Sequence, residues 1–384
     1  MRICVISDMH CKHQLNVDET TDTLLISNKP RIPINQHPVS SLLSLIEKEN
    51  LICDIVLCPG DLGDKSDEQG IYSSWSFLEE IKLKLNAKFL LGIPGNHDIN
   101  SRKKLGKEPF AYIKNFHENF PFNEEATKSK FWDLGYCITR LEKTLFLLIN
   151  TVHDHIDETK AGKSAILPET LEKIKAELSN LNCPEINHKI CVLHHHPIKH
   201  SNIKNWKDSD SLEKGDDLIQ ILNQNGFHLV IHGHKHQPRI IEYTSLPIFA
   251  AGSFASFANL QNTGIETMFH MVELIDKSRL GTIISWQFDL INGWSHKNNV
   301  IFPPRVGFGG DGDVNAIAAK INELFQKNNK KPFFYEEVIT SIPDVQFLVP
   351  DKLIQLNKVL KETYKIKPMP EYPLEPLKLS EILN

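Results

Sequence analysis

The chain has 384 residues, 41% of them hydrophobic, and its 43 Lys and Arg against 48 Asp and Glu give a net charge of -5 at pH 7. This length exceeds a typical single domain and predicts a globular body with an appendage. The acidic balance excludes a general attraction to nucleic acid, and the sequence has no apolar run of about 18 residues that would predict a membrane span.

The first half of the chain alternates predicted strands and helices. A strand at residues 2–7 is followed by a polar loop at 12–38 and an amphipathic helix at about 39–49. A second helix near 70–85 connects a strand ending in PGD to the strand FLLGI, as parallel crossovers require. Residues 130–152 instead indicate consecutive strands, with CITRL and TLFLLINT forming a hairpin.

The second half continues this pattern before its composition changes. Helices at about 168–179 and 216–225 precede the strands ICVL and HLVI, and hairpin-like stretches near 239–251 and 266–290 are expected to complete a second sheet. Asp313, after the glycine-rich turn GFGGDGD, is expected to cap a further helix. We therefore expect a catalytic domain at 1–292 and a C-terminal extension at 293–384 that packs against the body, covers the active cleft or contacts another subunit or partner.

Five apolar strands end in oxygen- and nitrogen-bearing side chains. These are Asp8 and His10, then Asp61, then Asn96 with His97 and Asp98, then His194 to His196, and finally His234 with His236. Side chains at strand ends collect at one edge of a sheet fold. About seven such ligands are too many for one tetrahedral ion but suit two octahedral-like ions that share a carboxylate. The sequence therefore predicts a dinuclear metal centre.

In their order and spacing these segments resemble the calcineurin-like metallophosphoesterase superfamily, whose pattern is D-x-H, G-D, G-N-H-D, an H-x-P-type histidine and G-H-x-H. The resemblance covers about residues 1–290, and LHHHP, GHKHQP and AAGSFASF are most similar to its bacterial cyclic-nucleotide phosphodiesterase-like members. It implies an α/β four-layer sandwich, with two mixed β-sheets flanked by helices. It also implies a phosphoric ester hydrolase that cleaves a phosphodiester or nucleotide by in-line attack of metal-bound hydroxide.

The resemblance further implies a role for each site residue. The first metal would take Asp8, His10, Asp61 and His236, and the second would share Asp61 and add Asn96, the H-x-P histidine and His234. For that histidine, the H-x-P register and the alternation of side chains along a strand select His195, with His194 as the alternative. His97 would act as catalytic proton donor or transition-state stabiliser, with Asp98 fixing its tautomer. Manganese is the expected metal, although Fe, Zn, Co and Ni accept the same ligand set.

Two other functions use the same sequence blocks. A DNA or RNA nuclease of the double-strand-break repair type shares them, and the basic cluster at 102–107 would favour it, whereas the acidic net charge does not. A non-catalytic interaction scaffold would lack several ligands or His97, and all are present here. The seven cysteines lack paired spacing and the strand at residue 2 leaves no room for a signal peptide, so we expect a cytoplasmic protein.

Overall fold

The computed structural model describes residues 1–101, 108–160, 164–199, 211–256, 267–296, 302–329, 332–371, 376 and 378–382. Its helices are α1 (Pro38–Glu49), α2 (Glu68–Lys84), α3 (Glu125–Leu134), α4 (Pro168–Asn180), α5 (Gly215–Gln224), α6 (Val314–Lys327), α7 (Tyr335–Ser341) and α8 (Pro350–Tyr364). Its strands are β1 (Arg2–Val5), β2 (Lys12–His13), β3 (Ile26–Ser27), β4 (Ile55–Cys58), β5 (Phe89–Gly92), β6 (Tyr136–Leu141), β7 (Thr144–Ile149), β8 (His188–Val192), β9 (Leu229–His232), β10 (Arg239–Tyr243), β11 (Leu246–Ala250), β12 (Met268–Leu274), β13 (Gly281–Asp289), β14 (Gly293–Ser295), β15 (Arg305–Phe308), β16 (Phe333–Phe334), β17 (Ile366–Met369) and β18 (Lys378–Glu381). Within these ranges, every helix is too short or too polar to traverse a lipid bilayer.

Two mixed sheets form the body of the molecule, as the sequence predicted. The first has the order β14-β13-β12-β1-β4-β5, with β15 also paired to β13, and the second has the order β10-β11-β9-β8-β7-β6. Strands β1, β4 and β5 run parallel, and so do β7, β8, β9 and β11. Antiparallel pairs complete both sheets.

Strand β7 shows how the layers are built from an all-apolar run. Phe146 and Leu148 belong to the large core that also contains residues of the first sheet, whereas Leu147 packs with Ile174 of α4 and Leu222 of α5. Because successive side chains of a strand face opposite ways, a strand that is covered on both faces must be apolar throughout. On the first sheet, helix α1 packs against β14 and helix α2 packs against β4 and β5. The four-layer sandwich is therefore confirmed.

Two predicted elements differ from the structure. Residues 130–134, expected to be extended, form the end of α3, which stops at Gly135 in the left-handed conformation (φ 75°); the β6–β7 hairpin follows as predicted. The hairpin β12–β13 lies in the first sheet rather than the second, because β12 pairs with β1 from Arg2↔Glu273 to Val5↔His270.

The C-terminal part has a small core of its own. Helices α6, α7 and α8 and the three-stranded sheet β16-β18-β17 enclose it, with Ile321, Phe325 and Leu360 buried together. Lys352, in the first turn of α8, binds Glu242 of β10 at 3.3 Å and donates to the Gly310 carbonyl at 2.9 Å. Strands β14 and β15, which also lie beyond residue 292, pair with β13 in the first sheet.

Candidate metal centre

The loops after five strands of the two sheets carry the candidate ligands. Asp8 and His10 follow β1, Asp61 follows β4, Asn96 follows β5, the histidine triplet follows β8, and His234 with His236 follows β9. Five of these residues have left-handed backbones, namely Asp8 (φ 52°), His10 (47°), Asp61 (54°), His234 (76°) and His236 (56°). Such conformations cost on the order of 1–3 kcal/mol each outside glycine and persist where the surrounding structure imposes them. Their clustering makes this sheet edge the candidate functional site.

The first ligand group consists of Asp8, His10 and His236. The Nε2 atoms of the two histidines lie 2.9 Å apart, and His236 Nε2 lies 3.4 Å from Asp8 Oδ1. Asp8 is fixed from behind by the Ser7 hydroxyl and by the His234 backbone N–H, which donates to Oδ1 at 2.9 Å. Two imidazole nitrogens and a carboxylate that converge on one point are the donor set of a borderline divalent ion.

Asp61 lies between this group and a second one. Its Oδ2 atom is 3.6 Å from His10 Nε2 and 3.2 Å from His194 Nε2, while its Oδ1 atom accepts the backbone N–H of His97 at 2.8 Å. Gly95 makes room for it, because a Cβ atom there would lie 2.1 Å from Asp61 Oδ1. One carboxylate that faces both groups is the arrangement expected of a bridging ligand.

The second group contains Asp61, His194 and His234, with the amide oxygen of Asn96 between the two rings. Asn96 Oδ1 lies 3.1 Å from His194 Nε2 and 2.9 Å from His234 Nδ1. His194 is oriented by its other nitrogen, since Nδ1 hydrogen-bonds to the Pro59 carbonyl at 2.8 Å. A backbone carbonyl commonly fixes a metal-binding imidazole in this way, so that Nε2 faces the ion.

The structure places His194, rather than His195, against Asp61. His195 Nδ1 contacts the Thr151 hydroxyl at 2.8 Å, and its ring packs beside His234 with centroids 4.4 Å apart. The alternation rule assumed that the strand continues through the triplet, but β8 ends at Val192 and the chain bends afterwards. His195 is fully buried, and its Nε2 has no hydrogen-bond partner among the described residues.

His97 is oriented by a carboxylate that sequence reasoning missed. Its Nδ1 lies 3.2 Å from Asp64 Oδ1 and 3.3 Å from the Lys65 backbone N–H. A protonated ring donates to Asp64, whereas a neutral ring accepts from Lys65, so both protonation states are held in one place. Nε2 is then the nitrogen that can face a substrate. The available signal was the spacing GDLGD, which puts a second carboxylate three residues after Asp61.

Asp98, expected to fix the His97 tautomer, instead anchors backbone. Its two oxygens accept the N–H groups of Gly63 at 2.9 Å and Gly95 at 2.8 Å. It therefore ties the loop after β4 to the loop after β5, which keeps Asp61 beside Asn96. The basic cluster at 102–107 lies outside the described residues.

Comparison with known proteins places this geometry in a family. Residues 1–238 match the calcineurin-like phosphoesterase family over more than half of the chain. The chain belongs to that family. Members of this phosphoesterase family use divalent metal ions, and the described ligand groups have donor atoms within 4.8 Å of one another. No curated protein matches the chain.

One solved structure shows the same fold at low sequence identity, and others are similar at lower TM-scores. The purple acid phosphatase PPD1 from yellow lupin (Lupinus luteus) seeds has a TM-score of 0.51 and 15% identity, covering 75% of this chain and 51% of the lupin chain, so this chain spans about half of its length. The phosphopantetheinyl hydrolase of Mycobacterium tuberculosis has a TM-score of 0.39 and 12% identity, covering 65% of this chain and 89% of that one. A putative 5'-nucleotidase of Staphylococcus aureus has a TM-score of 0.38 and 13% identity, covering 77% and 52%.

The C-terminal part of this phosphoesterase chain has its own family match. Residues 306–362 match the family described as wHTH-Calcineurin_assc. This match overlaps the part of the chain that forms α6, α7, α8 and the three-stranded sheet β16-β18-β17. An additional C-terminal domain is thus present.

Burial and charge have opposite effects on the pKa values of Asp61 and His194 in the phosphoesterase site. Burial raises the pKa of Asp61, but His194 and His97 outweigh it and hold that pKa well below its usual range. Burial lowers the pKa of His194, but the Asp61 carboxylate raises it to about 9. Burial and the neighbouring His97 lower the pKa of His10 to about 3. The Asp61 carboxylate thus favours the protonated form of His194, whereas burial favours the neutral form of His10.

The electrostatics around His97 suit a proton donor. Burial lowers its pKa, but the carboxylates of Asp61 and Asp64 raise it more, so the net shift is upward. Burial raises the pKa of Asp64, and the hydrogen bond from His97 reverses that shift. Burial, with Asp61 nearby, raises the pKa of Asp98 to about 7. Asp64 is thus the better partner for a charged imidazole.

Proposed function

We propose that the chain is a dinuclear-metal phosphodiesterase that hydrolyses a phosphodiester or a nucleotide. The observation that carries this proposal is the shared position of Asp61 between two ligand groups, with His97 beside it. A site with only one ligand group would bind a single ion. A non-catalytic interaction scaffold would need no proton donor such as His97. Membership of the calcineurin-like phosphoesterase family supports the same reading.

The positions of the donor atoms support one set of residues for each ion. One site comprises Asp8, His10, Asp61 and His236, and the other comprises Asp61, Asn96, His194 and His234. His194 takes the position first expected for His195. When bound, two such ions neutralise phosphoryl charge and activate water as the nucleophile. Manganese suits this mixed nitrogen and oxygen set and is the metal we propose.

The chain's own residues supply the remaining steps. His97 donates a proton from Nε2 to the leaving oxygen, because its Nδ1 is held by Asp64. The His97 ring is only about one third exposed, which limits competition from water for that proton. Pocket space of about 140 Å³ next to Asn96 and His97, lined also by Lys65, Ser66 and Ser101, can receive the leaving group.

A nuclease is the second candidate, favoured by the winged-helix match. Helix-turn-helix modules commonly place their second helix in a DNA groove. The charge of the C-terminal part argues against a nuclease. Residues 306–384 contain 10 Lys, no Arg and 11 Asp or Glu, and Lys352 of α8 forms an ion pair with Glu242. Duplex binding depends on basic side chains that neutralise phosphates. We therefore assign the C-terminal domain to protein contact, with another subunit or a partner.

One assay separates the candidates. Full-length protein stripped of metal and reloaded with Mn, Fe, Zn, Co or Ni is tested on bis-p-nitrophenyl phosphate, cyclic nucleotides, nucleoside monophosphates and DNA and RNA oligonucleotides. The proposal expects two metal equivalents and cleavage of diesters or nucleotides, and His97→Ala should keep the metals but lose turnover by about 10²- to 10⁴-fold. Cleavage of oligonucleotides alone would favour the nuclease. No cleavage by fully loaded protein would favour the scaffold.

A further inference from the structure

Lys12 is a lysine that the fold has buried beside the site. It is only 4% exposed and lies two residues after His10. Its ammonium group is 3.1 Å from Thr21 Oγ1, 3.4 Å from Asp18 Oδ1 and 3.5 Å from Asp64 Oδ2. Lysine is almost never fully buried unless it is paired, because removing an ammonium from water is costly. The burial of Lys12 must therefore be explained by the roles of the residues that it contacts.

Asp64 connects this ammonium group to His97. One carboxylate oxygen, Oδ1, faces His97 Nδ1 at 3.2 Å, and the other, Oδ2, faces Lys12. Oδ2 has no hydrogen bond from the described residues, and Lys65 Nζ is 3.9 Å away and half exposed. The charge on this buried oxygen is thus compensated mainly by Lys12. If the carboxylate turned, it would lose either Lys12 or His97.

We infer that Lys12 is a positioning residue for the proposed hydrolysis, acting through Asp64 on His97. This inference rests on the proposed function, since it assumes that His97 delivers a proton to the leaving oxygen. Lys12 touches neither the substrate pocket nor an atom of the ligand groups described above. Asp64 Oδ1 also lies 3.9 Å from His10 Nδ1, a longer contact than the 3.2 Å to His97. Loss of Lys12 should therefore leave metal content intact and weaken mainly the step that needs a well-placed His97.

The competing explanation is that Lys12 merely fastens a loop. Its contacts with Asp18 and Thr21 hold residues 14–21 against the body, and Thr21→Val would remove one of them while leaving the pair with Asp64 intact. Lys12→Arg keeps the positive charge, and Lys12→Met keeps the length without it. These three variants separate charge at Asp64 from anchoring of the loop.

The test compares two thymidine 5'-phosphate aryl esters with manganese-loaded full-length protein. The p-nitrophenyl ester has a leaving group that needs little protonation, whereas the phenyl ester needs an acid. Lys12→Met should lower kcat on the phenyl ester by about 10- to 100-fold, the usual effect of losing an outer-shell partner, with a much smaller loss on the p-nitrophenyl ester. Lys12→Arg should restore most of the phenyl ester activity, and Thr21→Val should behave like the wild type.

The ratio of the two rates is unaffected if part of a variant sample is unfolded, because both esters report on the same active molecules. Equal losses on both esters in Lys12→Met, or a selective loss in Thr21→Val, would overturn the inference. The proposed function fails separately: wild-type protein with two metal equivalents would then cleave neither ester.

Discussion

Asp64→Asn tests the orientation of His97 most directly. The substitution preserves size but removes the charge that faces His97 Nδ1 at 3.2 Å. Hydrogen bonds to charged groups contribute about 1.5–3 kcal/mol, against about 0.5–1.5 kcal/mol for neutral pairs. The difference of roughly 1–2 kcal/mol corresponds to a loss of about 5- to 30-fold in kcat, if it applies to the charged imidazole in the transition state.

The assay measures kcat on an aryl phosphodiester with a poor leaving group, together with metal content by elemental analysis and melting temperature. Asp18→Asn is the matched control, because Asp18 also faces Lys12 at 3.4 Å but is exposed and does not contact His97. The control should retain wild-type kcat. If Asp64→Asn were as active as wild type while His97→Ala was impaired, Asp64 would have no part in placing His97.

Three more predictions follow from the site and the core. Asp61→Asn should lower occupancy of both metals, and two full equivalents in that variant would contradict a bridging role. His194→Ala should lose about one metal equivalent while His195→Ala retains both, as measured by elemental analysis; the opposite result would restore His195 as the ligand. Burial lowers the pKa of His270 to about 3. Because this folded pKa lies below the unfolded value of about 6.5, stability present above that pH is lost as the pH falls, by about 1.4 kcal/mol between about pH 7.5 and about pH 5.5. Urea unfolding of His270→Gln should lack that pH-dependent difference, and an unchanged difference would exclude His270 as its source.

Sequence reasoning located the site because its signals are local. Each ligand segment follows an apolar run, and a buried strand needs such a run whatever its neighbours are. The parallel strands then bring Asp8, Asp61 and Asn96 to one edge without any further information. The α/β sandwich was predictable for the same reason, since strand and helix alternate along most of residues 1–292.

The structure departs from the expected contacts where the outcome depends on packing across the fold. The H-x-P register favoured His195, but β8 ends at Val192, and after the bend His194 Nε2 lies 3.2 Å from Asp61 Oδ2. Proximity in sequence suggested Asp98 as the partner of His97, yet the chain turns Asp98 toward two backbone N–H groups and brings Asp64 to the ring instead. No local pattern distinguishes these alternatives, because each depends on which loop packs against which.

The sheet assignment of β12–β13 is a similar case. A hairpin is visible in the sequence, but its partner β1 lies more than 260 residues away in the chain. The prediction that residues 130–134 are extended was wrong for a local reason. The polar helix α3 has a weak apolar pattern, and Phe131 and Trp132 favour strands. The glycine that ends the helix was the better signal.

The left-handed backbones at five ligand positions have a consequence for how the protein acquires its ions. Conformations that are unfavourable in isolation are imposed here by the two sheets, so the cage is preorganised by the fold. We therefore expect this chain to fold without metal, unlike a zinc finger, which is unfolded without its ion. A chelator should therefore abolish phosphoesterase activity while the circular dichroism spectrum stays unchanged. Adding the ions back should restore that activity without a refolding phase.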